Sequence, residues 1–496
     1  MATPPDPSRR AESPVRSRAD EPRVPDGRGL LLALVPLSLV LFIATLDQTI
    51  VATAIPTIGR DLGDLDSAPW IATAYLLTSA VTTLIFGKLG DMHGRKWILQ
   101  FSIVVFLAGS FLCGIAPSIG ALIAFRALQG VGGGGLSSLV QAITGDLIPA
   151  RERSRYQAYL GIVATLAIIA GPLLGGFFSD ALSWRWIFYV NLPVGIAALA
   201  LIALRLHLPV RRSGGRVDLA GGALVTVAST AIITATVLGG EGHGWTSGLV
   251  LGLFATGIAS LVAYLRVESR AAEPITPLGL FRNQVFSISS VLFFLSTLVL
   301  FVAMLYVPAF MQAVHHYSAF DSGLFLIPLL VGLIVATAVS GQLIARTGRY
   351  RIYPIVGSVL TGAGMFVLSL ITAGTPVVLL GALLVVIGAG LGFFVQVSLL
   401  AGQNAVPGEV IGIATGALNY FKTLGGAFGA AIFGAILASQ LHGSTVADYV
   451  PAFQTVFFWA VPFVAVALVL ALVMHEKPLS EEMIAVAAGE AEVPEY

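Results

Sequence analysis

The chain has 496 residues, a mean hydropathy of +0.90 and only 11% charged residues, whereas an average soluble domain has about 25%. No soluble core of this size needs so much apolar surface, so the composition excludes an ordinary soluble protein and indicates one that lies mainly in lipid. The net charge of +1 points to no charged partner such as a nucleic acid. Cys113 is the only cysteine, which excludes an intrachain disulfide and a cysteine metal site.

Residues 1–28 are rich in Pro, Arg, Asp and Glu, which predicts a disordered tail. Beyond them, fourteen runs have the roughly 20 mainly apolar residues that a membrane-spanning helix needs. Helix is expected in each run because an isolated segment in lipid must satisfy its own backbone hydrogen bonds. In chain order the predicted spans are 31–57, 69–87, 97–116, 119–145, 156–179, 185–205, 218–239, 247–266, 285–310, 320–344, 353–373, 376–400, 411–439 and 453–474.

Basic residues divide the connections between these spans into two groups. With the N-terminus placed in the cytoplasm, the outer connections contain only Arg60 and Arg185, and the other basic residues of the connections lie inside. Missing or adding one helix would reverse every later connection and remove this bias. The pattern predicts fourteen spans in a cytoplasmic membrane with both termini inside, and the preference for arginine over lysine is typical of a GC-rich bacterial genome.

An internal repeat indicates how the spans are organised. GKLGDMHGRK at 87–96 has a weaker echo in GQLIARTGRY at 341–350, and both segments follow a predicted span on the inner side. This spacing predicts two six-helix halves with two helices inserted between them, and such halves enclose a central site near the membrane midplane. The predicted parts are a tail at 1–28, an N-terminal bundle at 29–206, inserted helices and linkers at 207–283, a C-terminal bundle at 284–475 and a tail at 476–496. The matched charged and glycine positions include Gly87 with Gly341, Gly94 with Gly348 and Arg95 with Arg349.

Two side chains of opposite charge lie inside predicted spans. Asp47 lies about 15 Å below the outer end of the first span, and Arg126 about 10 Å below the outer end of the fourth, at a rise of 1.5 Å per residue. Charges inside a membrane are costly and indicate function. The two could pair or share a water-filled cavity, and a movement that separates them would load or release a proton. The alternative is a static salt bridge that only orders the bundle.

Lys422 lies near the middle of the thirteenth predicted span. It could line a central cavity or steer anionic groups, or it could extend along its helix to the nearest interface. Further candidates for the wall of a cavity are the polar residues Gln48, Gln129, Gln396 and Asn419.

Glycine-rich segments predict close packing between helices. In the fourth span the relevant residues are Gly130 and Gly134, and in the fifth they are Gly171, Gly175 and Gly176. Pro172 removes one backbone hydrogen bond and is expected to bend the fifth span.

The segment 87–96 is predicted to be an inner turn, in which Gly87, Gly90 and Gly94 permit close approach. Asp91 could pair with Arg95 or accept hydrogen bonds from backbone N–H groups, and Asp146 is a second possible partner. Such a charged cluster can latch a closed cytoplasmic gate that opens as the halves rock. The alternative is that the basic residues only anchor the chain on the inner side.

Several motifs are absent from the sequence. There is no GxxxxGK[ST] segment for an ATP-driven motor, no HExxH and no set of Cys and His metal ligands. We therefore expect no enzyme activity, no ATP, no metal and no cofactor, with a proton gradient as the energy source.

Together these segments resemble the major facilitator superfamily, and specifically its fourteen-helix drug:proton antiporters. GKLGDMHGRK resembles the superfamily's signature between the second and third helices. LDQTIVATAIP (46–56) and RALQGVGGG (126–134) resemble the helix-1 and helix-4 signatures of the fourteen-helix group. GPLLGG (171–176) resembles the end of the helix-5 antiporter signature, and WRWIFYVNLPVG (184–195) the segment that enters helix 6.

The resemblance implies roles for particular residues. Asp47 is similar to the acidic helix-1 residue that takes part in coupling, and Arg126 matches the arginine implicated in proton transfer. Asp91 and Arg95 match the gate residues. The segment that begins at Gly171-Pro172 matches the antiporter hinge.

The expected function is export of hydrophobic or cationic small molecules, such as drugs and antibiotics, in exchange for protons by alternating access. A narrow exporter of an endogenous metabolite or antibiotic, or a proton-coupled importer, is the first alternative. A non-transporting membrane receptor or assembly protein is an alternative of another class. The expected partners are a small-molecule substrate, protons and the lipid bilayer, without nucleic acid; the sequence does not identify accessory efflux proteins.

Overall fold

The computed structural model describes residues 27–64, 67–68, 70–148, 150–206, 218–239, 244–271, 274–407, 410–441 and 446–476. The predicted tails lie almost wholly outside these ranges. The described chain is helical, with a π-helical turn at Phe178–Leu182 and a 3-10 turn at Leu278–Arg282. Its α-helices are α1 (Gly27–Asp61), α2 (Trp70–His93), α3 (Arg95–Gly114), α4 (Ile119–Leu147), α5 (Ala150–Phe177), α6 (Trp186–Tyr189), α7 (Asn191–Arg205), α8 (Leu219–Leu238), α9 (Gly248–Glu268), α10 (Gln284–His315), α11 (Ala319–Leu324), α12 (Ile327–Thr347), α13 (Ile352–Leu368), α14 (Val377–Asn404), α15 (Ile411–Gln440) and α16 (Val446–Val473).

Twelve helical segments of the described chain are long and apolar enough to cross a membrane, so the chain is a multi-pass membrane protein. Two further apolar helices are shorter, Ala220–Thr236 within α8 and Ile352–Leu368, which is α13. They lie at the seventh and eleventh predicted spans. The predicted count of fourteen is therefore not confirmed.

The helices α1–α7 and α10–α16 form two halves with the same internal pairing. In the first half α2 packs on α4 and α1 on α5; in the second half α12 packs on α14 and α10 on α15. The halves then cross each other, since α2 packs on α15 and α5 packs on α12. Each half thus presents its second and fifth spans to the other half, as an internal repeat requires.

The inserted helix α8 lies over the seam between the halves. It packs on α2 of the first half and on α15 of the second, and it holds α9 on its outer side. The hydroxyl groups of Ser229 on α8 and Tyr420 on α15 are 2.8 Å apart. Ile233 on α8 is buried against Leu77 and Ala80 of α2. The insertion therefore contacts both halves at once.

The connection between α2 and α3 is shorter than the sequence predicts. Helix α2 continues through Gly87 and Gly90 to His93, and Gly94 alone makes the turn, with a φ of 97°. The expectation that all three glycines form a turn was wrong, because the helix keeps its backbone bonded until Gly94, whose left-handed φ suits glycine. The matched Gly348 ends α12 in the same region of conformational space, with a φ of 69°.

Gly87 and its repeat Gly341 instead let the halves approach each other. A Cβ atom at Gly87 would lie 2.7 Å from the carbonyl oxygen of Gly412 on α15. A Cβ atom at Gly341 would lie 2.8 Å from the carbonyl oxygen of Ser154 on α5. Both crossings between the halves therefore depend on the glycine that begins each copy of the motif.

Candidate functional site

Asp47 on α1 and Arg126 on α4 form a buried ion pair within the first half. Nη1 of Arg126 lies 2.6 Å from Oδ2 of Asp47, and the exposed fractions of the two side chains are 1% and 0%. Of the two arrangements that the sequence leaves open, the structure shows direct pairing. No water separates the charges at this distance.

Amide and hydroxyl groups complete the cluster around this carboxylate. Oδ1 of Asp47 accepts hydrogen bonds from Nε2 of Gln129 at 2.8 Å and from Nδ2 of Asn191 at 2.9 Å. Both amides also donate to Oγ of Ser110, each at 3.1 Å. Nη1 of Arg126 donates to Oε1 of Gln129 at 2.7 Å as well. The carboxylate is therefore bonded on both oxygens by protein groups alone.

Aromatic side chains enclose the guanidinium group. Cζ of Arg126 lies 4.2 Å from the ring centroid of Tyr75 and 5.8 Å from that of Phe188. Its Nε donates to the backbone carbonyl of Ile71 at 3.2 Å. Charges attract each other more strongly in such an apolar enclosure than in water. Removal of one partner would leave the other buried and uncompensated, at a cost of about 3–5 kcal/mol.

Glycines bring α4 and α5 close enough to their neighbours to build this cluster. A Cβ atom at Gly130 would lie 2.1 Å from Oγ1 of Thr78 on α2, and one at Gly134 would lie 2.3 Å from the carbonyl oxygen of Ser79. These two glycines therefore pack α4 against α2, as the sequence predicts.

The glycines of α5 behave differently from one another. A Cβ atom at Gly171 would lie 2.1 Å from Oγ1 of Thr49 on α1, so this residue packs α5 against α1, and Gly175 is also buried. The packing role expected of Gly176 was wrong, because a Cβ atom there would meet nothing within 4 Å. Helix α5 continues without a break past Pro172. The structure does not describe the side chain of this residue, so the hinge expected there stays a prediction.

A second charged cluster surrounds Arg95 where α2 meets α3. Nη2 of Arg95 lies 2.6 Å from Oδ1 of Asp91, and Nη1 forms an ion pair with Asp146 at the end of α4. Oδ2 of Asp91 accepts a hydrogen bond from the backbone N–H of Ile413, at 2.9 Å. Ile413 lies in the first turn of α15, so this cluster reaches from the first half into the second.

The repeated motif in the second half has no such cluster. Ala345 stands at the position of Asp91, and Arg349 is exposed and forms no ion pair within the described chain. The backbone N–H groups of Tyr350 and Arg351 donate instead to Glu476, at 2.8 and 3.2 Å. The gate role expected of Arg349 is therefore not supported by a contact, because the carboxylate that would hold it is missing from the motif.

Six hydrogen bonds that involve side chains, all between described residues, link the halves at the end of the bundle that contains Arg95. They link Asp91 with Ile413, Gln141 with Gln403 and Asn419, Ser154 with Gly341 and Gln396, and Gln157 with Gln403. We call this the Arg95 end and the opposite end, where Asp61 pairs with Arg185, the Asp61 end. The halves are thus closed on each other at the Arg95 end.

The five cavity candidates from the sequence lie in different places. Gln129 belongs to the Asp47 cluster, and Gln48 is exposed. Gln396 donates to the carbonyl of Ser154 at 2.7 Å, and Asn419 to Oε1 of Gln141 at 2.8 Å. These last two join the halves in this conformation, so the expectation that they line an open cavity is not met. Lys422 lies one helical turn beyond Asn419.

Sequence reasoning missed several polar residues that the structure places in these clusters. Ser110 and Asn191 hold the Asp47 carboxylate, and Gln141, Gln157 and Gln403 join the halves. Each is a polar side chain within or beside an apolar run, and that contrast is the signal that could have found them. No group of three or more His, Cys, Asp or Glu residues that could hold a metal lies within the described ranges.

The family model described as Major Facilitator Superfamily matches residues 37–430. An uncharacterised transporter of that type from Mycobacterium tuberculosis is 37% identical over 88% of this chain and 68% of its own length. The Bacillus subtilis multidrug transporter protein MdtP is 35% identical over 84% of this chain and 77% of its own.

Solved structures give the same fold at low sequence identity. The proton:xylose symporter XylE has a TM-score of 0.65 at 15% identity, over 92% of this chain and 99% of its own. The human organic anion transporter MFSD10 has a TM-score of 0.63 at 17% identity, over 89% of this chain and 99% of its own. At these identities the likeness concerns the fold alone.

Proposed function

Because the chain belongs to the major facilitator superfamily, whose members are transporters rather than enzymes, we propose that it exports amphipathic small molecules, drugs among them, in exchange for protons. The observation that carries the proposal is the buried pair of Asp47 and Arg126. A carboxylate that can be neutralised by one proton, held beside a permanent cation, is the simplest device for coupling proton uptake to a change of shape.

The chemistry of the pair follows from its surroundings. A proton on Asp47 would cancel its charge and leave Arg126 as an uncompensated cation among Tyr75 and Phe188. That state is costly in an apolar enclosure, so α1 and α4 must move until the guanidinium group finds water or another acceptor. Since the side chain of Asp47 has no exposed surface here, proton access also requires such a movement.

The contacts between the halves support a direction for that movement. Hydrogen bonds join the described halves at the Arg95 end. On the predicted orientation this end faces the cytoplasm, so the conformation is closed on the inner side of a cell membrane. Protonation of Asp47 from outside would then favour opening of the Arg95 end, where cytoplasmic substrate enters.

The names of related proteins support export of drugs. MdtP and multidrug resistance protein 3 of Bacillus subtilis are 35% and 32% identical to this chain over more than four fifths of its length. The chain also covers 77% and 78% of those two proteins.

A dedicated exporter of one metabolite is the second candidate. A transporter named for the acurin A biosynthesis cluster of Aspergillus aculeatus is 32% identical over 86% of this chain and 80% of its own length. The two candidates differ in the breadth of the substrates and share the coupling site.

The test is transport into proteoliposomes under an imposed pH gradient, with ethidium and tetramethylrhodamine as fluorescent probes. The wild type is expected to concentrate at least one dye when the gradient is present, and Asp47→Asn is expected to abolish that while still binding the dye. If Asp47→Asn takes up dye under the gradient at the wild-type rate, Asp47 does not have the proposed role. A correctly folded wild type that moves neither dye would favour the dedicated exporter over the broad one.

A further inference from the structure

Lys422 on α15 is a cation inside a membrane-spanning helix that has no acceptor for its charge. The buried arginines Arg95 and Arg126 pair with carboxylates, and Arg153 donates to backbone carbonyls. Within the described chain, by contrast, Nζ of Lys422 forms no ion pair and no hydrogen bond. Its side chain is partly exposed and lies over the ring of Phe293, whose centroid is 5.9 Å from Nζ. A lone charge in a membrane is costly, which indicates a functional role.

The side chain of Lys422 cannot reach the membrane surface by extending along its helix. Lys422 lies eleven residues after Ile411, the first residue of α15, which places it about 16 Å from that end at 1.5 Å per residue. The Gln440 end is farther away. Helix α15 is also packed by α2, α4, α8, α10 and α16 around its circumference. This depth excludes the interfacial location expected of a snorkelling lysine, and it is also too deep for a lipid headgroup.

The helical register shows which way Lys422 faces. Residues at spacings of three and four share one face of a helix, and Asn419, Lys422, Gly426 and Gly429 follow that spacing. Asn419 contacts α4 of the first half through Gln141. Cβ atoms at the two glycines would touch α10 of the second half. Lys422 therefore lies on the face of α15 that contacts both α4 and α10, in the interior between the halves.

The polar groups one helical turn from Lys422 along α15 are the amides of Asn419 and its partner Gln141. Oε1 of Gln141 is already bonded to Nδ2 of Asn419, at 2.8 Å, whereas the amide nitrogen of Gln141 donates to nothing within the described chain. The nearest carboxylate of the coupling site, Asp47, is bonded on both oxygens by Arg126, Gln129 and Asn191. Lys422 is therefore a charge that no carboxylate of the described chain compensates, and an anionic group of a ligand would compensate it.

We propose that Lys422 recognises an anionic group of the substrate, and that the exported molecules are amphipathic organic anions or zwitterions with a carboxylate or sulfonate. The ring of Phe293 beside the ammonium group offers an apolar surface for the rest of such a molecule. The inference rests on the proposed export function and narrows its substrates. It revises the sequence-based expectation of hydrophobic or cationic cargo, because a purely cationic molecule would meet a like charge.

The probe pair that tests this is tetramethylrhodamine and its methyl ester, which differ only in the carboxylate. Binding of each dye to purified wild-type protein is measured by fluorescence anisotropy at pH 7, and so is binding to Lys422→Met, Lys422→Arg and the control Lys96→Met. Lys96 is a second lysine, whose Nζ donates to the carbonyl of Ala203 at the surface. Lys422→Met removes a charge that forms no ion pair or hydrogen bond within the described chain, so it is not expected to impair folding.

The wild type and Lys96→Met are expected to bind the carboxylate dye at least tenfold more tightly than the ester, a difference of about 1.4 kcal/mol. Lys422→Met is expected to lose that preference and Lys422→Arg to keep it. Equal affinity of the wild type for the two dyes, no binding of either, or an unchanged preference in Lys422→Met would overturn the inference. Failure of the export proposal would be seen separately, as binding with the predicted preference but no proton-driven transport.

Discussion

The side chain of Asp91 on α2 accepts a hydrogen bond from the backbone N–H of Ile413, in the first turn of α15 and in the other half of the molecule. The N–H groups of the first turn of a helix have no partner within the helix, and they favour a negative charge. The same carboxylate is held by Arg95, which in turn pairs with Asp146. One residue thus connects the charged cluster of the first half to the second half.

The first prediction concerns this connection. Asp91→Asn keeps the shape of the side chain but removes the charge that attracts Arg95 and the start of α15, so we expect the Arg95 end to open more often. Spin labels on cysteines at His93 and Arg349, in a Cys113→Ser background, would report the distance between the halves. Both residues are exposed, and neither side chain joins the halves.

The matched control is Asp61→Asn. Asp61 also pairs with an arginine, Arg185, but both residues belong to the first half and lie at the opposite end. We expect the mean distance between the labels to be longer in Asp91→Asn than in the wild type. In the control Asp61→Asn we expect the wild-type distance. An unchanged distance in Asp91→Asn would mean that this contact does not hold the end closed.

The second prediction concerns the glycine crossings. In Gly87→Ala and Gly341→Ala the new methyl group would meet a backbone carbonyl oxygen at 2.7 and 2.8 Å, and a backbone atom cannot move aside as a flexible side chain can. Each variant is expected to separate the halves at the Arg95 end and to lose at least tenfold in transport rate. Gly252→Ala on α9 is the control, since nothing lies within 4 Å of its Cβ position. Wild-type transport in Gly87→Ala would contradict the account of this crossing.

The third prediction separates the stability of the buried pair from its function. Asp47→Asn leaves Arg126 without its counter-charge and is expected to destabilise the protein by about 3–5 kcal/mol. The double variant Asp47→Asn/Arg126→Gln removes both charges and should recover most of that loss, but not proton-driven transport. Thermal unfolding in detergent and transport in proteoliposomes measure the two properties. If the double variant transports like the wild type, the pair is only a structural salt bridge.

The fourth prediction concerns Asn191, which donates to both Asp47 and Ser110. Asn191→Leu removes one of the donors to the carboxylate at nearly constant size. A hydrogen bond to a charged group contributes about 1.5–3 kcal/mol, so we expect a loss of stability in that range. Unfolding measurements on Asn191→Leu, and on Asn191→Leu in an Asp47→Leu background, give the size of the coupling. If the loss is the same with and without Asp47, the two residues do not act together.

The sequence identifies the two members of the buried ion pair because charges stand out in an apolar run. Asp47 and Arg126 were found in this way, and the depth estimate from helical rise placed them at similar levels. Asn191 and Ser110 were missed, because neutral amides and hydroxyl groups occur in many spans without a functional role. Their importance depends on which helix faces meet, and a sequence without contacts does not contain that information.

The number of spans shows a different limit of prediction from sequence. Hydropathy counts apolar residues whether or not they are helical, and the predicted span 353–373 includes residues beyond Leu368, where α13 ends. The repeat was more informative. The matched glycines Gly87 and Gly341 both lie at crossings between the halves, and their contacts are related in the way that two copies of one unit require.

The most direct test of the central claim, that Asp47 couples protons to substrate, is proton release by purified protein in weakly buffered detergent solution. Tetramethylrhodamine is added at saturating concentration, and a pH indicator follows the change. We predict that the wild type releases protons on binding the dye and that Asp47→Asn binds the dye without release. Proton release of the same size from Asp47→Asn, or dye binding by the wild type with no release, would contradict the account.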